Sequence, residues 1–166
     1  MIAAIAANGV IGRDNSLPWR VVDDMRFFAE ITRGRVVITG RLNYDAMGRA
    51  LPERHNIVLS RNPSFLPVDA VVVPTIEAAF IAAENYGETE AFVIGGAQIY
   101  RLALPYAHCF YRTRLLSAVA GDVVFPALDE SEWQSTRLQD GEANERNESA
   151  FVIERLSRRR PARGYR

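Results

Sequence analysis

The chain reads as one α/β domain: a central, mostly parallel eight-stranded sheet with an antiparallel C-terminal end, flanked by about four helices. Three observations carry this expectation. Eight short apolar runs are punctuated by four helical patterns, the alternation of βαβ units. The last two runs face each other across a polar turn, which makes them an antiparallel pair. A length of 166 residues suits a single domain with a sizeable core.

Each element has a local reason. Residues 2–7 are six apolar residues in a row, a buried strand that stops at Asn8-Gly9. Residues 8–20 form a polar loop containing Gly9, Gly12, Asn15 and Pro18 and closing on Trp19. Residues 22–33 are helical, with Asp23 or a neighbour as cap and Gly34 as stop. Residues 35–39 make a strand, and Gly40-Arg41 opens a short helix to about Met47. Strands follow at 56–60 and 70–73, then an Ala-rich helix over 75–85 that Thr75 starts. Residues 90–94 form a strand, Gly95-Gly96 breaks it, and a helix covers 97–103. A strand at 107–115 leads to a loop with Gly121-Asp122 and Phe125-Pro126. Residues 132–138 and 149–156 close the sheet around a polar turn at 139–148. The domain is taken as 1–157, leaving 158–166 as an Arg-rich, frayed tail; a polyanion-binding arm is the alternative for it.

Composition narrows the chemistry. Hydrophobic residues make up 48% and charged residues 24%, as in a water-soluble globular protein. No apolar run reaches the roughly 20 residues of a membrane helix, and the apolar start lacks the charged flank of a signal peptide. All 20 basic residues are Arg, so Schiff-base chemistry and a P-loop lysine are excluded. Residues 1–154 hold 14 Arg against 20 acids, which speaks against a broad nucleic-acid surface. One cysteine, Cys109, excludes an intrachain disulfide and points to a reducing cytoplasm. With only His55 and His108 besides, no transition-metal site is expected.

Ligands of such sheets bind beyond the carboxyl ends of the strands. Three strand ends there suit phosphate: Ile94-Gly95-Gly96-Ala97-Gln98, Thr39-Gly40-Arg41 and Leu59-Ser60-Arg61. Glycines let backbone approach a ligand, helix starts offer free N–H groups, and guanidinium forks match phosphate. Together they suggest a dinucleotide with an extra phosphate, the shape of NADPH, although no G-x-G-x-x-G follows the first strand. A second constellation is Asp24 with Phe28 one helical turn on and Met25 beside it. A carboxylate on that face either meets a ligand edge with two parallel N–H donors or favours the helix dipole in the first turn.

With these residues in place, the chain resembles dihydrofolate reductase over about residues 1–156. The resemblance rests on Ile5-Ala6-Ala7, Gly9-Val10-Ile11-Gly12 running to Leu17-Pro18-Trp19, Asp24 with Phe28, Gly40-Arg41, and Leu51-Pro52-Glu53-Arg54. Val93-Ile94-Gly95-Gly96 with Tyr100, Thr113, Gly121-Asp122 and Phe125-Pro126 complete it. It implies hydride transfer from NADPH to the pterin of 7,8-dihydrofolate by a monomer. Asp24 then corresponds to the carboxylate that grips the pterin, Thr113 to the hydroxyl that orients it, and Tyr100 to the ring near the nicotinamide. Trp19 belongs to the wall around the acid. Ile5, Ala6, Met25, Phe28, Met47, Leu51 and Ile94 correspond to the substrate pocket, and Arg54 to the partner of the substrate's α-carboxylate. Ala7, Ile11, Gly12, Gly40, Arg41, Asn43, Ser60, Arg61, Gly95, Gly96, Ala97 and Gln98 correspond to the cofactor site, with a cis peptide at Gly95-Gly96. Residues 8–20 correspond to a mobile lid pinned by Asp122.

The chain departs from the family pattern at four places. Val21-Val22 lacks a proline, which loosens the start of the helix carrying Asp24. Asn43-Tyr44 stands where Thr-Trp is usual, Ala97 replaces a glycine, and Thr39 replaces an apolar residue. These changes imply lowered sensitivity to diaminopyrimidine antifolates. The alternatives are a pyrimidine reductase of riboflavin synthesis on the same scaffold and a catalytically silent NADPH- or folate-binding module.

Overall fold

The structure, a computed structural model, describes residues 1–88 and 90–165. In chain order the strands are β1 (Ile2–Ile5), β2 (Val10–Gly12), β3 (Val36–Gly40), β4 (His55–Leu59), β5 (Val71–Val73), β6 (Ala91–Gly95), β7 (Cys109–Leu115), β8 (Val123–Val124), β9 (Trp133–Gly141) and β10 (Phe151–Arg158). The helices are α1 (Val22–Thr32), α2 (Arg41–Met47), α3 (Ile76–Glu84) and α4 (Ala97–Ala103). Two four-stranded ladders, β5-β4-β3-β6 and β1-β7-β10-β9, lie side by side with β1 against β6. The first is wholly parallel; the second is parallel at β1–β7 and antiparallel at β7–β10 and β10–β9. The expected eight-stranded arrangement is therefore present, built from these two ladders.

Helices cover both faces of the parallel ladder, so β3 (VVITG) is buried at every position. Val36 and Ile38 pack with Ile57, Val93, Ala79, Ile99 and Tyr100 on the side of α3 and α4. Val37, between them, packs with Ile2, Phe92, Ile94 and the α1 residues Phe28 and Ile31 on the other face. Fully burying one such aliphatic side chain contributes about 1.5–3 kcal/mol. Crossovers from β3 through α2 to β4, and from β6 through α4 to β7, bring the carboxyl ends of the strands to one edge.

Several local expectations change. The first strand stops at Ile5, because the N–H groups of Ala6 and Ala7 donate instead to the carbonyls of Val10 (2.9 Å) and Ser117 (3.0 Å). Part of the presumed 8–20 loop is a strand, β2, paired with β8, a piece too short for periodicity to reveal. Thr75 caps α3 by accepting from the Ala78 N–H, as expected. Asp23 does not cap α1: Val21 holds the cap position with no side-chain bond, and Asp23 lies inside the first turn. The presumed 139–148 turn starts later, since β9 runs on to Gly141, where a Cβ would lie 2.5 Å from the Phe151 ring.

Of the Arg-rich segment 158–166, residues 158–165 are described and several of them contact the body of the domain; Arg166 lies outside the described residues. Arg158 ends β10, and its guanidinium donates to the carbonyls of Ala107 (2.8 Å) and Leu104 (2.7 Å), the latter also accepting the Ala107 N–H (3.3 Å). Arg163 N–H donates to Pro105 (3.0 Å), and the Tyr165 and Phe80 rings lie 5.1 Å apart.

Candidate active site

The cleft lies between α1, the ends of β1 and β6, and the segment after α2. Asp24 projects inward from the first turn of α1 and is only 9% exposed. Burial holds its carboxyl above the usual carboxylate range, and a hydrogen bond from the Thr113 hydroxyl partly opposes this. Among the described residues no cation pairs with it. The adjacent Asp23 points the other way, to Arg146 and Asn147. So the stabilising interaction expected of an acid near a helix start falls to Asp23.

Thr113 is buried on β7, in register with Ala4 of β1 and Ile153 of β10. Tyr100, on α4, donates its hydroxyl to the Ile2 carbonyl (2.8 Å). Burial pushes that phenol far up, and the charge of Asp24 adds to the shift. Trp19 packs against Ala6, Val10 and Val21, and its indole N–H is buried with no partner among the described residues.

Of the residues assigned to the apolar wall, four pack together. Phe28, Met47, Leu51 and Ile94 belong to one cluster with Ile2, Val37 and Phe92. Met25 does not join it; its side chain is 53% exposed on the outer side of α1. Ile5 packs on the edge of the main core. Ile94 is passed over in the β3–β6 register, where Ile38 pairs with Val93 and Thr39 with Gly95. Such a bulge takes a residue's backbone out of the ladder and re-aims it.

Arg54 is a positioned cation. Its guanidinium donates to the carbonyls of Pro52 (2.7 Å) and Ala29 (2.7 Å) and to the Thr32 hydroxyl (3.1 Å). Burial, then the nearby Arg33, lowers its pKa. No acid neutralises it among the described ion pairs, so its charge stays available to a carboxylate.

On the cofactor side, Gly40 and Gly95 are required by close packing. A Cβ on Gly40 would lie 2.7 Å from Ile99, and one on Gly95 would meet the Tyr100 ring at 3.0 Å. The Gly95–Gly96 peptide is cis. Gly96 faces open space, and Ala97 and exposed Gln98 begin α4, where helix geometry leaves the first N–H groups without intrahelical partners. Ser60 and Arg61 line a cleft of about 340 Å³ with Phe65, Val73 and Pro74. Arg61 has no ion-pair partner among the described residues, whereas Arg41 pairs with Asp45 at 2.9 Å. Ala7, Ile11 and Gly12 sit at and after the end of β1, and the Gly12 carbonyl accepts from the Asp122 N–H (3.2 Å). Open glycine backbone beside a free guanidinium fits the phosphates of a dinucleotide.

The departures at 39 and 43 prove to be one unit. Asn43 donates to the Thr39 hydroxyl (2.9 Å), which donates to the Gly95 carbonyl (2.9 Å). The sequence reading also overlooked Asn56, a polar residue in an apolar strand, which is buried. It bonds both backbone groups of Leu51 (2.9 and 2.8 Å) and the Arg54 carbonyl (3.0 Å), fixing wall and cation together. Its position at the mouth of a strand was the one available signal.

Comparison with known proteins agrees with this geometry. The family model for dihydrofolate reductase matches residues 1–158. The dihydrofolate reductase of Staphylococcus haemolyticus is 39% identical over 147 residues, 89% of this chain and 87% of that protein. A dihydrofolate reductase type 3 of Salmonella typhimurium is 38% identical over 96% of this chain and 98% of its own length. Among solved structures, the Enterococcus faecalis dihydrofolate reductase complexed with NADP(H) and RAB-propyl superposes with a TM-score of 0.88. It is 32% identical, covering 96% of this chain and 95% of that one. A family model that spans almost the whole chain, relatives at 38–39% identity over most of their own length and a matching fold place the chain in the dihydrofolate reductase family.

Proposed function

We propose that Asp24 governs protonation of the pterin as the chain reduces 7,8-dihydrofolate to tetrahydrofolate with NADPH. Bound NADPH supplies the hydride. The observation that carries the reading is Asp24 itself: a buried carboxylate, raised in pKa by burial, with one hydroxyl partner and no paired cation among the described residues. Such a group is costly to ionise alone, and a ligand edge with two parallel N–H donors offsets that cost.

The surrounding residues then have defined work. The Thr113 hydroxyl fixes the carboxylate's orientation. Phe28, Met47 and Leu51 exclude water from the flat ring and hold it for transfer. The orphaned indole N–H of Trp19 can hold a water on the lid side, through which Asp24 delivers a proton without touching the reacting nitrogen. Arg54 receives the carboxylate end of the substrate. Ser60 and Arg61 receive the cofactor's 2′-phosphate, Gly95 and Gly96 lie along the cofactor, and the carbonyls of Ile5 and Ile94 line the inner pocket around the pterin.

A substrate bearing a ribitol phosphate would need anion ligands where this apolar wall stands, which disfavours the riboflavin-pathway reading. The Thr39–Asn43 pair keeps the cofactor edge ordered, which disfavours a silent binding module. In this reading the substitutions at 39, 43 and 44 also lower sensitivity to diaminopyrimidine antifolates, and an inhibition titration of ordinary potency would remove that part. The chain acts as a monomer in a reducing cytoplasm, a proposal supported by its single, free Cys109 and tested by sedimentation.

The test is one absorbance trace. NADPH should be consumed on adding dihydrofolate. Asp24→Asn should lose at least about 100-fold in turnover at neutral pH while still binding NADPH. Near-normal turnover by that variant would exclude Asp24 from the reaction.

A further inference from the structure

Helix α1 begins without a cap of its own. Val21 has no side chain that can accept, and the first intrahelical bond is Met25 N–H to the Val21 carbonyl (3.2 Å). The N–H groups of the first turn must therefore find partners elsewhere. They find them on the loop between β9 and β10. Val22 N–H donates to the Arg146 carbonyl (3.2 Å), and Asp23 N–H donates to Asn147 Oδ1 (3.2 Å). Asn147 Nδ2 donates back to Asp23 Oδ2 (2.8 Å), and Arg146 pairs with the other oxygen of that carboxylate.

Asn147 is built for this task. It is 1% exposed, although it belongs to a polar loop. Its own backbone is fixed in a reciprocal pair with Asn144, N–H to carbonyl in both directions (3.1 and 2.8 Å). One residue further on, Glu148 N–H donates to the Arg20 carbonyl (2.9 Å) and Glu148 Oε2 accepts from Arg20 N–H (2.9 Å). The segment 20–23 is thus held rung by rung, and the looseness expected from the absent proline at 21–22 does not arise.

We propose that Asn147 is a positioning residue for Asp24: it caps α1 from 124 residues away and thereby sets the direction in which the acid projects. Successive helical residues are rotated by about 100°. Anchoring Asp23 outward through its backbone and its carboxylate therefore turns Asp24 inward, towards Thr113 and Tyr100. Two adjacent acids are divided between them: Asp23 is the handle and Asp24 is the working group. The inference rests on the reading of Asp24 given above.

The experiment measures kcat, both KM values and melting temperature for Asn147→Ala across the pH range 5 to 9, beside Asp24→Asn. Asn147→Ala should lower kcat about tenfold, since small misplacements of a reacting group cost that much or more, with KM for NADPH unchanged. A mis-aimed Asp24 is better solvated, so the apparent pKa governing kcat should move down and the rate should begin to fall at lower pH. The groups facing Asp24 in this profile are Thr113 and Tyr100; those facing Asp23 are Asn147, Arg146 and Arg26. Asp23→Ala removes the carboxylate half of this anchor, its bonds from Asn147 Nδ2 and Arg146, while keeping the backbone N–H bond to Asn147, and should move kcat and the pH profile in the same direction by less, which keeps the test decisive if Asn147→Ala does not fold. A lowered melting temperature with kcat and its pH profile intact in these variants would overturn the proposal. Loss of rate in Asp24→Asn alone would overturn it too while leaving the role of Asp24 standing.

Discussion

The two ladders of the sheet solve the same problem by different chemistry. In β5-β4-β3-β6 the central strand β3 is buried throughout and sealed by helices on both faces. Its polar functions are pushed to the strand ends, where Thr39, Gly40, Ser60 and Gly95 stand. In β1-β7-β10-β9 the interior carries charge. Glu154 of β10 is 5% exposed and accepts from Arg112 (2.9 Å), Arg114 (2.7 Å) and the Ser135 hydroxyl, and Arg112 also reaches Glu130. The outer strand β9 is exposed except at Trp133 and Gly141, and an Arg137–Asp140 pair (3.1 Å) lies along it. The lesson is that a sheet sealed on both faces concentrates function at its edge, whereas a half-solvated one can hold polar networks within the strands.

The sharpest way to break this contrast is Ile38→Ala in the sealed ladder. It should cost about 4 kcal/mol by urea denaturation, with little change between pH 4 and pH 8, because only apolar contact is lost. Glu154→Ala in the other ladder should cost about 3 kcal/mol at neutral pH by removing the buried carboxylate shared by Arg112 and Arg114, which leaves Arg112 with only the exposed Glu130. Burial pushes the Glu154 carboxyl up, but Ser135 and the two guanidinium groups outweigh it and hold the value below the usual range. Its contribution is therefore present above the unfolded carboxylate value, about pH 4, and is lost as pH falls through the folded one. The difference between wild type and variant should shrink in acid; a pH-independent gap would erase the distinction between the ladders.

Smaller effects test the junction. Thr39→Val leaves the Gly95 carbonyl unsatisfied and should cost about 1–3 kcal/mol. It should also weaken NADPH binding in a fluorescence titration, and pairing it with Asn43→Ala should add little, since both break one chain of bonds. The smallest shift is in Asp24→Asn. Because burial raises the Asp24 pKa, ionisation opposes folding, and the stability gained below the unfolded value is lost as pH rises through the folded one. The variant's melting temperature should therefore gain on wild type between pH 5 and pH 8.

Legibility in the sequence follows the same division. β3, β4 and β6 and all four helices lie within one or two residues of the expected positions, because continuous apolar runs and helical periodicity are local signals. β2 and β8 escaped notice because strands of three and two residues carry no period. The site residues were legible as types at strand ends, and resemblance supplied their roles. What could not be read were pairings across the chain: Thr39 with Gly95, Asn56 with Leu51, and Asn147 with Asp23. Each joins a side-chain hydroxyl or amide to backbone groups that no local pattern relates. The contacts of Arg158 lay out of reach for a similar reason, since an Arg-rich end looks solvated until the carbonyls of Leu104 and Ala107 are placed beside it.

Asn56 couples two parts of the cleft. One amide ties the greasy floor at Leu51 to the cation at Arg54, so neither can shift without the other. With Arg54 proposed to receive the substrate's carboxylate, the cleft is then proposed to act as a gauge of fixed span between a flat aromatic head and an anionic tail. Molecules shorter or longer than that span must forgo one of the two ends, a filter on length that operates apart from any recognition of the head itself.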